Sequence, residues 1–159
     1  MKKALRGKRV FLDTNIFVYV ALKHPDFYDS CYEILELSVD EYYHGYGSDL
    51  VLFELFGALS KINPKAAYEA AISYLNLPIT RLEINRDVIK VAYKIAEKSG
   101  VTYDSIHAAT MMINGINLII TEDLTDWIKI KKCWKNVAEE LDIKISDLII
   151  YAPSKQKFI

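Results

Sequence analysis

Short apolar runs separated by longer amphipathic stretches organise this chain. Val10, Phe11 and Leu12 form a run that ends at Asp13, too brief for a helix and bounded like a buried strand. Thr14 or Asn15 then caps a helix through IFVYVALK. The His24-Pro25-Asp26 turn closes it and opens a second helix running to about residue 40. In HGYGSDL, Gly45 and Gly47 permit a close approach and a short strand before Ser48 or Asp49 caps the helix LVLFELFGALSK. Asn63-Pro64 ends that helix, and Pro64 suits the first turn of the next, AAYEAAISYLN, which Pro78 stops. PITRLEI is a β-branched strand. Asn85 or Asp87 begins IKVAYKIAEKSG, whose apolar positions recur at helical spacing and whose Gly100 fits a C-terminal cap. TYDSIHAATMMIN is a further helix, and Gly115 leads into the apolar strand INLIIT, which ends before Glu122-Asp123. The tail holds a helical CWKNVAEEL and a last apolar run, LIIYAP.

Short strands alternating with amphipathic helices predict an α/β fold, its mainly parallel sheet covered on both faces. In such folds the functional crevice lies beyond the carboxyl ends of the strands, and Asp13 and Asp123 both follow predicted strands. Residues 1–159 suit one domain, with a core over about 8–127 and a C-terminal helix and strand over about 128–152. An apolar content of 52% is enough for that core without disulfides or a structural metal. Cys31 and Cys133 lie far apart with no CxxC, and so read as buried thiols in a reducing compartment. The N-terminus meets a carboxylate after three apolar residues, leaving no room for a signal peptide, and no run is long enough to span a membrane. A cytoplasmic protein is expected.

A formal net charge of −1 gives no global footprint for nucleic acid, so RNA binding needs local patches. Basic residues cluster at Lys2, Lys3, Arg6, Lys8 and Arg9, and again at Lys129, Lys131, Lys132 and Lys135. Lys8, Arg9, Lys129, Lys131 and Lys132 are the candidate phosphate contacts, and a solvated, solubilising face is the competing reading.

Among 21 acidic residues, two interrupt apolar surroundings: Asp13 ends a strand, and Glu54 sits inside LVLFELFGAL. A carboxylate placed there needs a partner or shifts its pKa until it is neutral. Asp104 opens a helix, where a first-turn or capping role competes with any other. If the sheet brings such acids together, each pair at ~5 Å repels by roughly 3 kcal/mol at an effective dielectric near 20, and the cluster calls for a cation. Oxygen ligands without a histidine or cysteine cluster point to Mg²⁺ or Mn²⁺ rather than zinc. The change Asp13→Asn separates the readings: a pure metal ligand should leave the metal-free protein more stable when neutralised, and a cap or ion-pair partner less stable.

The segments VFLDTNIFVY, DLVLFELFGAL, VTYDSIHAAT and LIITEDLTDW, in that order, resemble the four acidic motifs of the PIN-domain family and span residues 10–127. The resemblance implies a three-layer α/β/α sandwich and a metal-dependent endoribonuclease that hydrolyses RNA phosphodiesters with Mg²⁺ or Mn²⁺, leaving 5′-phosphate and 3′-hydroxyl ends. It places Asp13, Glu54, Asp104 and Asp123 as the acidic tetrad, with Asp126 as the rival fourth ligand. Thr14, Asn15 and Thr121 fall at the pocket edge. His107, one helical turn after Asp104, is a pocket support for which a structural histidine is the stronger reading.

Within the family the small single-domain form is similar to VapC-type toxins of prokaryotic toxin–antitoxin pairs, which implies a homodimer blocked by a cognate antitoxin. The competing readings are a stand-alone RNA-processing nuclease and a catalytically silent module that binds RNA or protein. A phosphatase of unrelated fold lacks its marks, since there is no phosphate-cradling glycine loop.

Overall fold

A computed structural model describes residues 2–159, apart from the side chain of Lys2. The chain runs α1 (Lys2–Leu5), β1 (Arg9–Leu12), α2 (Thr14–Ala21), α3 (Tyr28–Val39), β2 (His44–Ser48), α4 (Asp49–Ser60), α5 (Pro64–Asn76) and β3 (Thr80–Leu82). It continues through α6 (Arg86–Ser99), α7 (Tyr103–Ile113), β4 (Leu118–Ile120), α8 (Leu124–Glu140), β5 (Ile149–Ala152) and β6 (Lys157–Phe158).

The six strands form one sheet in the order β3-β2-β1-β4-β5-β6, parallel except for β6, which runs antiparallel to β5. From β1 the chain steps outward to β2 and β3 through α2–α5. It then returns to the other side of β1 through α6 and α7, and reaches β5 through α8. Right-handed crossovers in opposite directions put these two helix groups on opposite faces. The contacts agree: α2 packs on α3, α4 and α5, and α6 packs on α7 and α8. The α/β/α sandwich expected from the sequence is therefore the fold.

The central strands are buried on both sides, with Val10, Phe11, Leu12, Ile119 and Ile120 each 0% exposed. Burial of such side chains contributes on the order of 1.5–3 kcal/mol each. Their continuous apolar sequence is the mark of a strand covered by helices on both faces.

Turn and cap chemistry fixes most helix ends. Ser48, Asn63 and Asn85 cap α4, α5 and α6 with their side chains, and Gly100 ends α6 in the left-handed region at φ 71°. The sequence placed the cap of α2 at Thr14 or Asn15; Asp13 itself holds that position and accepts from the Thr14 N–H. The last helix begins nine residues earlier than CWKNVAEEL. The alternation of isoleucine and lysine before Cys133 hides a helical face on which Trp127, Ile130, Trp134 and Val137 are buried. Neither α1 nor the edge strand β6 was legible, both being too short to show a period. Gly47 is needed because a Cβ there would collide with the Tyr74 hydroxyl, which donates to the Ser48 carbonyl at 2.9 Å and pins α5 against the start of α4.

The neighbours of β1 are reached by crossovers on opposite faces, so the loops after β1 and β4 diverge. The crevice that opens there is the switch point where open α/β sheets place their ligands. Asp13 and Thr121 stand at its two edges, tied by the Asp13 N–H donating to the Ile120 carbonyl at 3.1 Å.

Candidate metal centre

Asp13 is the fixed point of the crevice. It is only 4% exposed, and its carboxylate is satisfied from four sides. Oδ1 accepts from the Thr14 N–H at 2.7 Å, and Oδ2 accepts from Thr121 Oγ1 at 2.6 Å, Asn15 Nδ2 at 2.9 Å and Trp127 Nε1 at 3.1 Å. Burial still pushes its pKa up, against the lowering effect of His107 and of these donors.

Thr121 and Asn15 connect the two strand ends. Thr121 Oγ1 accepts from Asn15 Nδ2 at 2.9 Å and from the Asp123 N–H at 3.0 Å, while Asn15 Oδ1 accepts from the Glu122 N–H at 3.1 Å. The loop after β4 is thus shaped by the loop after β1. Asp123 then caps α8, its Oδ1 accepting from the Thr125 N–H at 3.1 Å, and leaves its carboxylate exposed at the mouth.

Asp104 enters from α7, in the first turn but without a capping bond to that helix. Its carboxylate is the hinge of the site. Ligand atoms of Asp13, Asp104 and His107 lie within 4.8 Å of one another, and so do those of Asp104, Asp123 and Asp126. Burial and the charges of Asp13, Asp123 and Glu54 push Asp104 up to about 7, with His107 opposing them. No hydrogen-bond donor reaches it among the described residues, so only the charge of His107 offsets its burial and the neighbouring acids.

Glu54 reaches the pocket from α4. Its Oε2 accepts from Thr14 Oγ1 at 2.5 Å and meets His107 Nε2 at 2.8 Å. Burial would raise Glu54, but the His107 hydrogen bond and charge, with the Thr14 bond, hold it below the usual value. Burial would likewise lower His107; the hydrogen bond it donates to Glu54 and the charges of Asp13, Glu54 and Asp104 overcome it and hold the imidazole above its usual value. The two shifts agree on an ion pair in the metal-free protein. His107 is fully buried, its ring packs against Phe11 with centroids 5.6 Å apart, and its Nδ1 has no hydrogen-bond partner.

The structure therefore brings Asp13, Glu54, Asp104, Asp123 and Asp126 to one crevice, with Thr14, Asn15, Thr121 and His107 among them. Asp123 and Asp126 both have ligand atoms within 4.8 Å of Asp104, so the geometry places both rivals for the fourth ligand at the same mouth. Asp126 also pairs with Lys129 at 2.7 Å. Trp127 was missed, because a tryptophan amid apolar positions reads as core; its ring is buried, yet its N–H serves Asp13. The basic candidates divide. Lys129, Lys131 and Lys132 lie on α8, downstream of Asp123. Lys8 and Arg9 stand at the opposite end of β1, with Arg9 four residues and so roughly 13 Å from Asp13 and Lys8 one residue farther. Arg9 donates there to the Asn114 and Gly115 carbonyls and to Tyr46, which makes it a tie between elements.

Comparison with known proteins bears on this arrangement. The family model described as PIN domain matches residues 10–132. Comparison with curated proteins finds no match. Among solved structures, VapBC2 from Rickettsia felis bound to a promoter DNA fragment superposes with TM-score 0.60 at 21% identity, covering 91% of this chain and 98% of that one. DNA-bound VapBC from Salmonella typhimurium gives 0.61 at 16% identity, covering 91% and 97%. VapC20 from Mycobacterium tuberculosis, described as a sarcin-ricin loop cleaving toxin, gives 0.58 at 18% identity, covering 69% and 86%.

Proposed function

We propose, from the premise that this chain belongs to the PIN domain family, that it is an endoribonuclease dependent on Mg²⁺ or Mn²⁺ and the toxin of a toxin–antitoxin pair. The observation that carries the reading is Asp104. Its carboxylate sits between Asp13 on one side and Asp123 and Asp126 on the other, with no donor to balance it. A crevice that concentrates acids in this way is costly unless a cation enters it. The donor set fits such an ion, since carboxylate oxygens come within ligand spacing at two adjoining places.

Asp13, Asp104 and Asp123 would hold the metal, with Asp126 at the outer side and Glu54 at the inner one. Bound there, a hard divalent ion polarises a phosphate ester and makes a bound water more acidic. The chain's own part is orientation. Asp13 is immobilised by four hydrogen bonds, which fixes one ligand before substrate arrives. Trp127 closes the floor against water. Lys129, Lys131 and Lys132 offer positive charge along the α8 surface that leads away from Asp123, suited to the phosphates of RNA.

An antitoxin would find exposed apolar side chains in Phe53 and Phe56 on α4, 70% and 46% exposed, and in Tyr68 and Ile72 on α5, which packs against α4. A hollow of about 160 Å³ opens among α2, α3, α4 and α5, lined by Phe17, Val20, Leu35, Leu55 and Leu77. Exposed aromatic residues and an apolar hollow suit an amphipathic segment of a partner. Glu54 lies on the same helix, α4, so a partner seated there would contact an element that carries one of the crevice acids. A homodimer is part of the same reading.

A silent binding module would gain nothing from four mutually repelling carboxylates, which favours the enzyme. The test is cleavage of RNA by purified protein. Activity should require Mg²⁺ or Mn²⁺, vanish in EDTA, be poorly supported by Ca²⁺, and leave 5′-phosphate ends. Undiminished cleavage in EDTA would reject the mechanism. Co-expression with any small open reading frame found beside its gene separates a toxin from a stand-alone processing nuclease, since only a toxin's growth arrest is relieved.

A further inference from the structure

We infer that the His107 imidazole is a direct nitrogen ligand of the metal in this centre, with Glu54 behind it as the group that orients the ring. This rests on the metal reading above and refines it. Among the described residues, the inner set with ligand atoms within 4.8 Å of one another is Asp13, Asp104 and His107; Glu54 belongs to neither such set. Glu54 is instead engaged by His107 Nε2 at 2.8 Å and Thr14 Oγ1 at 2.5 Å, two contacts that hold one of its oxygens in place.

A histidine that binds metal through one nitrogen commonly donates its other ring N–H to a carboxylate, which fixes the tautomer and orients the ring. The same arrangement is built here. With Nε2 donating to Glu54, Nδ1 is the nitrogen that can give its lone pair to a metal, its proton passing to solvent as the ion binds. That atom is buried in a fully buried side chain and has no hydrogen-bond partner, an exceptional state for a polar atom inside a protein. The ring is also held by Phe11 against rotation. A ligand that is already oriented, and that lacks any competing bond, is suited to a cation close to Asp13 and Asp104.

The consequence is a mixed nitrogen–oxygen site rather than the oxygen-only set read from the sequence. Such a site favours Mn²⁺ or Co²⁺ over Mg²⁺, because imidazole is a better donor to transition ions. Pulsed electron paramagnetic resonance of the Mn²⁺-loaded protein tests this without an activity assay. We expect a ¹⁴N coupling from a directly bound imidazole, lost in His107→Gln, which keeps a polar group near Glu54 but has no counterpart of Nδ1. By calorimetry the variant should bind Mn²⁺ about tenfold or more weakly, with a smaller change for Mg²⁺. Glu54→Gln should retain the nitrogen coupling, because it disturbs the orienting group and leaves the ligand in place.

Mn²⁺ bound with oxygen couplings alone, or with unchanged affinity in His107→Gln, would overturn the inference while leaving the metal reading intact. Failure of the wild-type protein to bind either ion would overturn both. If His107→Gln does not fold, the wild-type spectrum decides alone, with ¹⁵N-histidine labelling to identify the nucleus.

Discussion

Trp127 Nε1 donates to Asp13 Oδ2 at 3.1 Å across 114 positions of sequence, joining the first turn of α8 to the end of β1 beneath the acidic crevice. Asp13 is therefore both a candidate metal ligand and a structural acceptor, two roles that the sequence had set against each other.

Asp13→Asn should destabilise the metal-free protein, contrary to what a pure ligand would give. An amide keeps one acceptor oxygen and turns its NH2 toward the donors at the other position, so either the Thr14 N–H on the Oδ1 side or Trp127, Asn15 and Thr121 on the Oδ2 side lose their acceptor. A buried donor left unsatisfied costs about 1–3 kcal/mol, which outweighs the relief of repulsion. Chemical denaturation in EDTA checks this, and a stability gain would show that the hydrogen-bond network contributes little.

Trp127→Phe should keep most of the packing and remove one hydrogen bond to a charged group, costing about 1.5–3 kcal/mol. RNA cleavage should fall as well, because Asp13 loses one of its four restraints. Equal activity at reduced stability would make Trp127 a core residue only.

In EDTA the stability of the wild-type protein should fall as pH rises from 6 to 8. Asp104, pushed up to about 7 by burial and neighbouring acids, binds its proton more tightly folded than unfolded. Its stabilising contribution is complete below the unfolded carboxylate range and is lost as pH passes through the folded value. His107, raised by Glu54 and Asp13 against burial, has the same sign: its contribution holds below its unfolded value and disappears above the folded one. Glu54 is lowered, so its contribution is lost only at acid pH. Thermal unfolding across this range should show the slope, and saturating Mg²⁺ should flatten it. A stability that rises toward pH 8 in EDTA would contradict the assignment.

Much of the fold was legible because strands buried on both faces are continuous apolar runs and the helix starts carry Ser48, Asn63 and Asn85. Asp13 and Glu54 stood out as charges in apolar surroundings. Asp104 did not, since an acid in a first helical turn needs no special explanation, and its exceptional setting arises only when α7 meets the ends of β1 and β4. The His107–Glu54 pair, 53 positions apart, depends on α4 and α7 flanking one crevice from opposite layers, which no local pattern encodes. Lys8 and Arg9 precede β1 and so lie away from the carboxyl end where the crevice opens, a placement that the strand rule itself makes legible.

The central claim is that the acids converge to hold a cation, and Asp104→Asn tests it most directly. Asp104 accepts no hydrogen bond among the described residues, and burial with the charges of Asp13, Asp123 and Glu54 outweighs the attraction of His107, so neutralising it removes a net penalty and breaks no hydrogen bond. In EDTA at pH 8 the variant should unfold at a higher temperature than the wild type. Saturating Mn²⁺ should raise the melting temperature of the wild type and leave that of the variant nearly unchanged. A variant less stable than wild type in EDTA, or a wild type indifferent to Mn²⁺ and Mg²⁺ alike, would contradict the account.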